Sequence, residues 1–234
     1  MQTVTNPLQA CNNIFFKPRG VFQALAHKNN WSWIPFFVVM VAAILPSYLY
    51  FSTVDFQWFV DMTAAGMGDV SPAEMEQFRN AQSPKLYTIS SIVGPLIGIT
   101  LFNALVALYL HLATKSDEKN VQGFTDWYGF TWWIMMPVLL SSLIALILLA
   151  MADSHQISPN VLQPLSLAYL FSVDIHSSWL ALAQAASIIT LWTVYLAIVG
   201  ITQWTSFSTK KAAIIVLAPY ILIYGIWAIV LLVS

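Results

Sequence analysis

Charge is the scarcest property of this sequence. Only 8% of its 234 residues are Asp, Glu, Lys or Arg, against about 25% in a soluble domain. A soluble chain of this length could not hide the 59% of residues that are hydrophobic, so one membrane domain is expected, with no room for a separate soluble one. Cysteine is nearly absent. The single Cys11 excludes an intramolecular disulfide. The net charge of −1 and the dispersed basic residues argue against nucleic acid as a partner. Residues 1–30 lack a continuous apolar run, and no small-residue cleavage pattern follows the first apolar segment, which is therefore expected to be an uncleaved anchor. No Gly-rich phosphate loop, HExxH or GxSxG element occurs, and no Ser or His is paired with a base. No catalytic residue, no cofactor and no enzyme activity is expected.

What is present is a series of apolar segments. Five of them, at about 33–53, 89–113, 127–151, 178–203 and 212–233, each hold roughly 20 residues or more, enough to cross a hydrocarbon core about 30 Å thick. The expected fold is an all-α integral membrane protein with five transmembrane helices. Lys17, Arg19 and Lys28 precede the first segment, Lys115 and Lys119 follow the second, and Lys210 and Lys211 follow the fourth. Only Arg79 and Lys85 lie on the other side. The positive-inside rule then predicts an inside N-terminus and an outside C-terminus.

The segments between the spans divide the chain further. Residues 1–32 read as an amphipathic cytoplasmic interfacial segment, and 33–234 as the five-span membrane domain. Leu8, Cys11 and Phe15 recur at helical spacing, and Val21, Phe22 and Leu25 form a second apolar patch after Pro18. Phe15, Lys17, Arg19, Phe22 and Lys28 are the candidate membrane-surface residues, with cations near anionic headgroups. The alternative is that these helices pack on the protein's own cytoplasmic face. The loop 54–88 lies outside in this topology. Phe56, Phe59 and Val60 suggest that the first helix continues, and Gly66 and Gly68 mark a break. Ser71-Pro72-Ala73-Glu74 has capping-box spacing, which predicts a helix over about 72–82 with Met75 and Phe78 on one side. Asp55, Asp61, Asp69, Glu74 and Glu76 surround Arg79 and Lys85 and can pair with them. Leu165 to Phe171 are placed near the interface. Trp127, Trp132, Trp133, Trp179 and Trp204 fit aromatic belts.

Few polar side chains enter the spans. Thr100, Asn103 and His111 share one stripe of the second span and mark a candidate polar cavity, or else a hydrogen bond between helices. Ser90, Gly94 and Gly98 repeat every four residues, a candidate helix-packing face. Pro95, Pro137 and Pro219 can bend their helices. Asp153, His155, Asp174 and His176 have the right chemistry for a metal. Two D-x-H pairs at helix ends are a weak signal, and no metal site is assigned. Thr100-Leu101-Phe102 and Thr190-Leu191-Trp192 hint at a parallel hairpin repeat.

The stretch 188–222, IITLWTVYLAIVGITQWTSFSTKKAAIIVLAPYIL, is the most distinctive. Trp192, Gly200, Ser208, Lys211, Ala212 and Pro219 resemble the closing part of the bacterial Yip-type (Ypt-interacting protein) membrane domain. The opening NPLQACNNIFFKPRGVF resembles its interfacial segment. The resemblance covers nearly the whole chain in layout. It implies five spans, an inside N-terminus and a place in the bacterial inner membrane, with no catalytic residues to transfer. Eukaryotic members are Golgi and ER proteins linked to Rab-type GTPases. No counterpart of their long cytosolic arm is expected here, and GTPase binding is not carried over.

These readings converge on a non-enzymatic, multi-pass membrane protein that organises membrane or partner proteins. Its expected partners are the lipid bilayer, a candidate phospholipid ligand, and a second copy or another membrane protein. The alternative is a transporter or lipid-handling protein with its cavity near Asn103 and His111.

Overall fold

The computed structural model describes residues 4–28, 30–67 and 70–233. Gly68 and Asp69 lie outside the described residues. Within them the chain is helical, with a single isolated bridge between Ser166 and Ser187 and no strand. Two compact units are formed. The first comprises residues 1–41, 98–139 and 189–234, the second 42–97 and 140–188.

Local chemistry starts each helix. Helix α1 (Pro7–Phe16) is capped by Asn6, whose side chain accepts from the Gln9 amide at 2.8 Å. It stops before Pro18, because the residue preceding a proline is pushed out of helical geometry. That proline opens α2 (Pro18–Leu25). Asn30 then adopts φ 68°, a left-handed conformation that Asn tolerates better than most side chains, and turns the chain into α3 (Trp33–Thr53). Rather than continuing, the helix gives way to α4 (Phe56–Ala65), because the Asp55 side chain caps a new helix by accepting from the Trp58 amide. The capping box is realised in α5 (Pro72–Ala81). The Glu74 amide donates to Ser71 Oγ at 3.3 Å, and the Ser71 amide donates to Glu74 Oε2 at 2.9 Å.

Four stretches are long and apolar enough to cross a membrane among the described residues: α3, α6 (Pro84–Thr114), the stretch Phe124–Ala150 and α12 (Thr209–Val233). The third is interrupted between α7 (Phe124–Ile134) and α8 (Val138–Ala150). Pro137 has no N–H to donate, and tight turns from Met136 to Trp133 and from Val138 to Met135 replace the helical pattern. The expected span at 178–203 is divided as well. After a one-turn 3-10 helix (Pro159–Leu162) come α9 (Leu167–Leu170), α10 (Leu180–Ala185) and the 17-residue α11 (Ile188–Trp204). The break at Ala186 and Ser187 is held by long-range backbone pairing. The Leu167 amide donates to Ala186 O at 2.8 Å and the Ile188 amide to Leu165 O at 3.0 Å.

The first unit has an aromatic core. Trp127, Trp132, Trp133, Phe130 and Phe22 are all at most 1% exposed. This corrects the aromatic-belt expectation for the three tryptophans, and Trp204 is also buried; only Trp179 stays at the surface. Protein contacts, not the bilayer interface, take up these rings. Tyr50, Phe59, Val60 and Val161 form the core of the second unit, and Tyr50 Oη donates to Ile157 O at 2.7 Å there.

Candidate functional site

The N-terminal helix pair is built into the first unit. Ala10, Ile14, Val21 and Phe22 are completely buried. Phe15 meets Trp192 edge-on with ring centroids 5.8 Å apart, and Phe22 meets Phe130 at 5.0 Å. The Trp204 indole N–H donates to the Phe22 carbonyl at 2.8 Å, and Gln23 Nε2 donates to Gln203 Oε1 at 2.9 Å. Phe22 therefore faces protein and not lipid, and Phe15 is half-buried against Trp192. Packing on the protein's own face is what these two rings do. The same helices leave other apolar groups outside: Leu8 is 71% exposed and Phe16 77%. They lie on the side of α1 opposite Ala10 and Ile14, near the exposed Lys17 and Arg19. Phe16 has one signal in the sequence, a second consecutive phenylalanine that a single apolar stripe cannot contain. Burial pushes the Cys11 thiol above its ordinary value.

The polar turn after α6 is latched to the turn before α12. Asp117 is buried and accepts from the Ser206 amide at 2.5 Å and from Ser206 Oγ at 2.6 Å. The Lys119 amide adds a third bond at 3.2 Å. The Ser206 hydrogen bonds, chiefly that from Oγ, hold the Asp117 carboxyl below the usual carboxylate range. Just beyond, Lys211 Nζ sits 3.5 Å from the centre of the Phe207 ring, while its amide donates to Ser208 Oγ at 3.3 Å. Gly200 admits the ring of Phe130, which a Cβ would overlap, and that of Phe22, which it would crowd at 3.0 Å.

In the stripe on α6, Asn103 is buried while Thr100 and His111 are half-buried. Asn103 is 2% exposed and its Nδ2 has no partner; His111 Nδ1 is also buried without one. The cleft of the first unit is lined by Thr100 and by neither Asn103 nor His111. Ser90, Gly94 and Gly98 are exposed. A Cβ built at Gly94 or Gly98 meets nothing within 4 Å, so no described residue packs against these two positions.

In the second unit Arg79 pairs with Asp61 at 3.1 Å. The Asp55 carboxyl is held below its ordinary value, first by the side chain of Gln156, which donates to it at 2.9 Å. Asp153, His155, Asp174 and His176 are all exposed, and no group of three metal-ligating side chains gathers among the described residues.

An all-helical chain with several membrane-length apolar helices is a multi-pass membrane protein. The Yip1 domain model matches residues 12–231, and the chain belongs to that family, one of membrane proteins not known for enzymatic activity. No curated protein and no solved structure matches it. Three of the family-like residues of 188–222 are packing positions: Trp192 on Phe15, Gly200 under Phe130 and the fully buried Ala212. Ser208 accepts from the Lys211 amide at the start of α12, and Pro219 lies within that helix.

Proposed function

We propose that this chain is a non-enzymatic, five-span protein of the bacterial inner membrane that organises membrane or partner proteins from its cytoplasmic face. The observation that carries the reading is the helix pair α1–α2. It is fixed to the protein by buried rings yet presents Leu8, Phe16, Lys17 and Arg19 outward. Apolar groups flanked by cations suit an anionic lipid surface. Residues 1–32 form the interfacial segment in this reading and 33–234 the membrane domain. Its 17-residue α11 meets the lower limit for a crossing helix. Lys115, Lys119, Lys210 and Lys211 then stay inside with the N-terminus. The open Gly94–Gly98 face is the docking surface for a second copy or a partner helix.

Fluorophores on Leu8→Cys and Phe16→Cys, in a Cys11→Ala background, test the surface in nanodiscs containing anionic lipid. Quenching by lipid-borne quenchers is the expected result. Quenching by aqueous iodide alone at both positions would overturn it. For topology, Lys119→Cys and Lys210→Cys are expected to label from inside only and Arg79→Cys from outside only. Outside labelling of Lys210→Cys would remove the fifth span.

The transporter or lipid-handling reading keeps one observation in its favour, the unpartnered Asn103 Nδ2 and His111 Nδ1. Whether that stripe holds water is a question for substitution of Asn103.

A further inference from the structure

A cleft of about 810 Å3 lies wholly within the first unit. That is within the range of roughly 300–1,000 Å3 typical of ligand sites. One wall is a continuous train of aromatic rings. Trp33 meets Phe36 at 5.6 Å, Phe36 meets Trp132 at 4.8 Å, and Trp132 meets Tyr128 at 5.8 Å, each edge-on. These rings belong to α3 and α7, both at the start of membrane-length stretches. Thr100, which also lines the cleft, is 14 residues before the end of α6, about 21 Å along the helix. The cleft therefore reaches into the apolar depth of the protein.

Its polar groups gather elsewhere. Lys28, Asn30 and Ser32 come from the connection between α2 and α3, and Thr125 and Asp126 from the first turn of α7. Lys28 and Asp126 line the same cleft but form no ion pair with each other among the described residues. Asp126 Oδ2 accepts from the Gly123 amide at 2.8 Å, which fixes the carboxylate at the helix start. No hydrogen bond reaches its Oδ1 among the described residues. Gly129 lets the connection lie close to α7: a Cβ there would come within 2.6 Å of Ser32 Oγ, which itself accepts from the Trp133 indole at 3.1 Å.

A cleft lined by a cation and an anion that form no salt bridge among the described residues, and by a wall of rings, suits a molecule that carries both charges and an apolar part. We propose that the cleft binds a phospholipid with an ethanolamine-type zwitterionic headgroup. The ammonium lies at Asp126 Oδ1 and against the rings, the phosphate at Lys28, and the acyl chains run along Phe36 and Trp132. A carboxylate at the headgroup end disfavours purely anionic lipids. The ring wall at the start of two membrane-length helices disfavours a free, water-soluble headgroup. The site is separate from the outward face of α1 and stands or falls independently of it.

Native mass spectrometry of the full chain in mild detergent tests this. The probes are phosphatidylethanolamine and phosphatidylglycerol with identical acyl chains. Wild type is expected to bind the ethanolamine lipid at least about fivefold more tightly, in the range of a desolvated ammonium over rings. Asp126→Asn keeps an oxygen for the Gly123 amide and is expected to abolish most of that preference. Lys28→Gln is expected to weaken both lipids. Trp33→Leu, at a 60% exposed position, is expected to weaken the ethanolamine lipid without affecting folding, and it decides the matter if Asp126→Asn does not fold. Equal binding of the two lipids by wild type, or full preference retained in both Asp126→Asn and Trp33→Leu, would falsify the assignment. Glycerophosphoethanolamine binding as tightly as the diacyl lipid would overturn the lipid in favour of a soluble headgroup.

Discussion

Gly200 lies so close to the ring of Phe130 that a Cβ at position 200 would overlap the ring's Cε2 and Cζ atoms. The same hypothetical atom would come within 3.0 Å of Phe22 Cε1. Gly200→Ala is therefore expected to cost about 1–3 kcal/mol through overpacking, seen as a lower thermal midpoint in detergent. Gly98→Ala, in open space, serves as the control and is expected to leave the midpoint of the monomer unchanged. Equal midpoints for the two variants would show that α11 shifts freely away from α2 and α7.

The Asp117–Ser206 latch carries a pH dependence whose sign is fixed. The folded-state pKa of Asp117 lies below its ordinary value, so folding favours the ionised form. The stabilisation is complete above the unfolded carboxyl value of about 3.9 and is lost as pH falls through the folded value. The midpoint difference between wild type and Asp117→Asn is expected to be constant near neutrality and to shrink only in acid below about pH 4. A difference that shrinks between pH 6 and 8 would contradict the latch.

Asn103 offers a direct probe of what α6 faces. Its Nδ2 is buried without a partner, and such a group carries a desolvation cost of about 1–3 kcal/mol. Asn103→Leu, similar in shape and apolar, is expected to leave the thermal midpoint unchanged or raise it. A clear loss of stability would mean that the amide is satisfied by water, which is the cavity the transporter reading needs.

Helix α5 depends on its cap. Ser71→Ala removes the oxygen that accepts from the Glu74 amide, at a cost of about 0.5–2 kcal/mol. Faster amide hydrogen exchange over 72–81, with α4 unaffected, is the expected outcome. Uniform exchange in both helices would indicate that packing, not the cap, sets the stability of α5.

Much of the architecture was legible because its causes are local. Ser71 and Glu74 announce α5, Pro18 announces α2, and the bounds of α3 follow hydropathy to the residue. What escaped depends on distant partners. Hydropathy runs unbroken through 178–203, and the break at Ala186 and Ser187 exists because Leu165 and Leu167, some 20 residues earlier, take up its backbone groups. Phe22 and Trp132 had the composition of lipid-facing anchors, since burial in protein and burial in a bilayer select the same side chains. Only tertiary contact tells these apart. Nor did spacing reveal the cleft: Lys28 and Asp126 are nearly a hundred residues apart and line one cleft only through the fold.

The helices differ widely in reach. At 1.5 Å per residue the 31 residues of α6 extend about 46 Å and the 17 of α11 about 26 Å. A hydrocarbon core of about 30 Å is too thick for one and too thin for the other. Once both cross, no uniform bilayer satisfies the protein, and the surrounding lipid must thin beside α11 while α6 tilts or projects. The molecule then imposes a local thickness on its membrane, and is itself drawn towards regions where that thickness is already present.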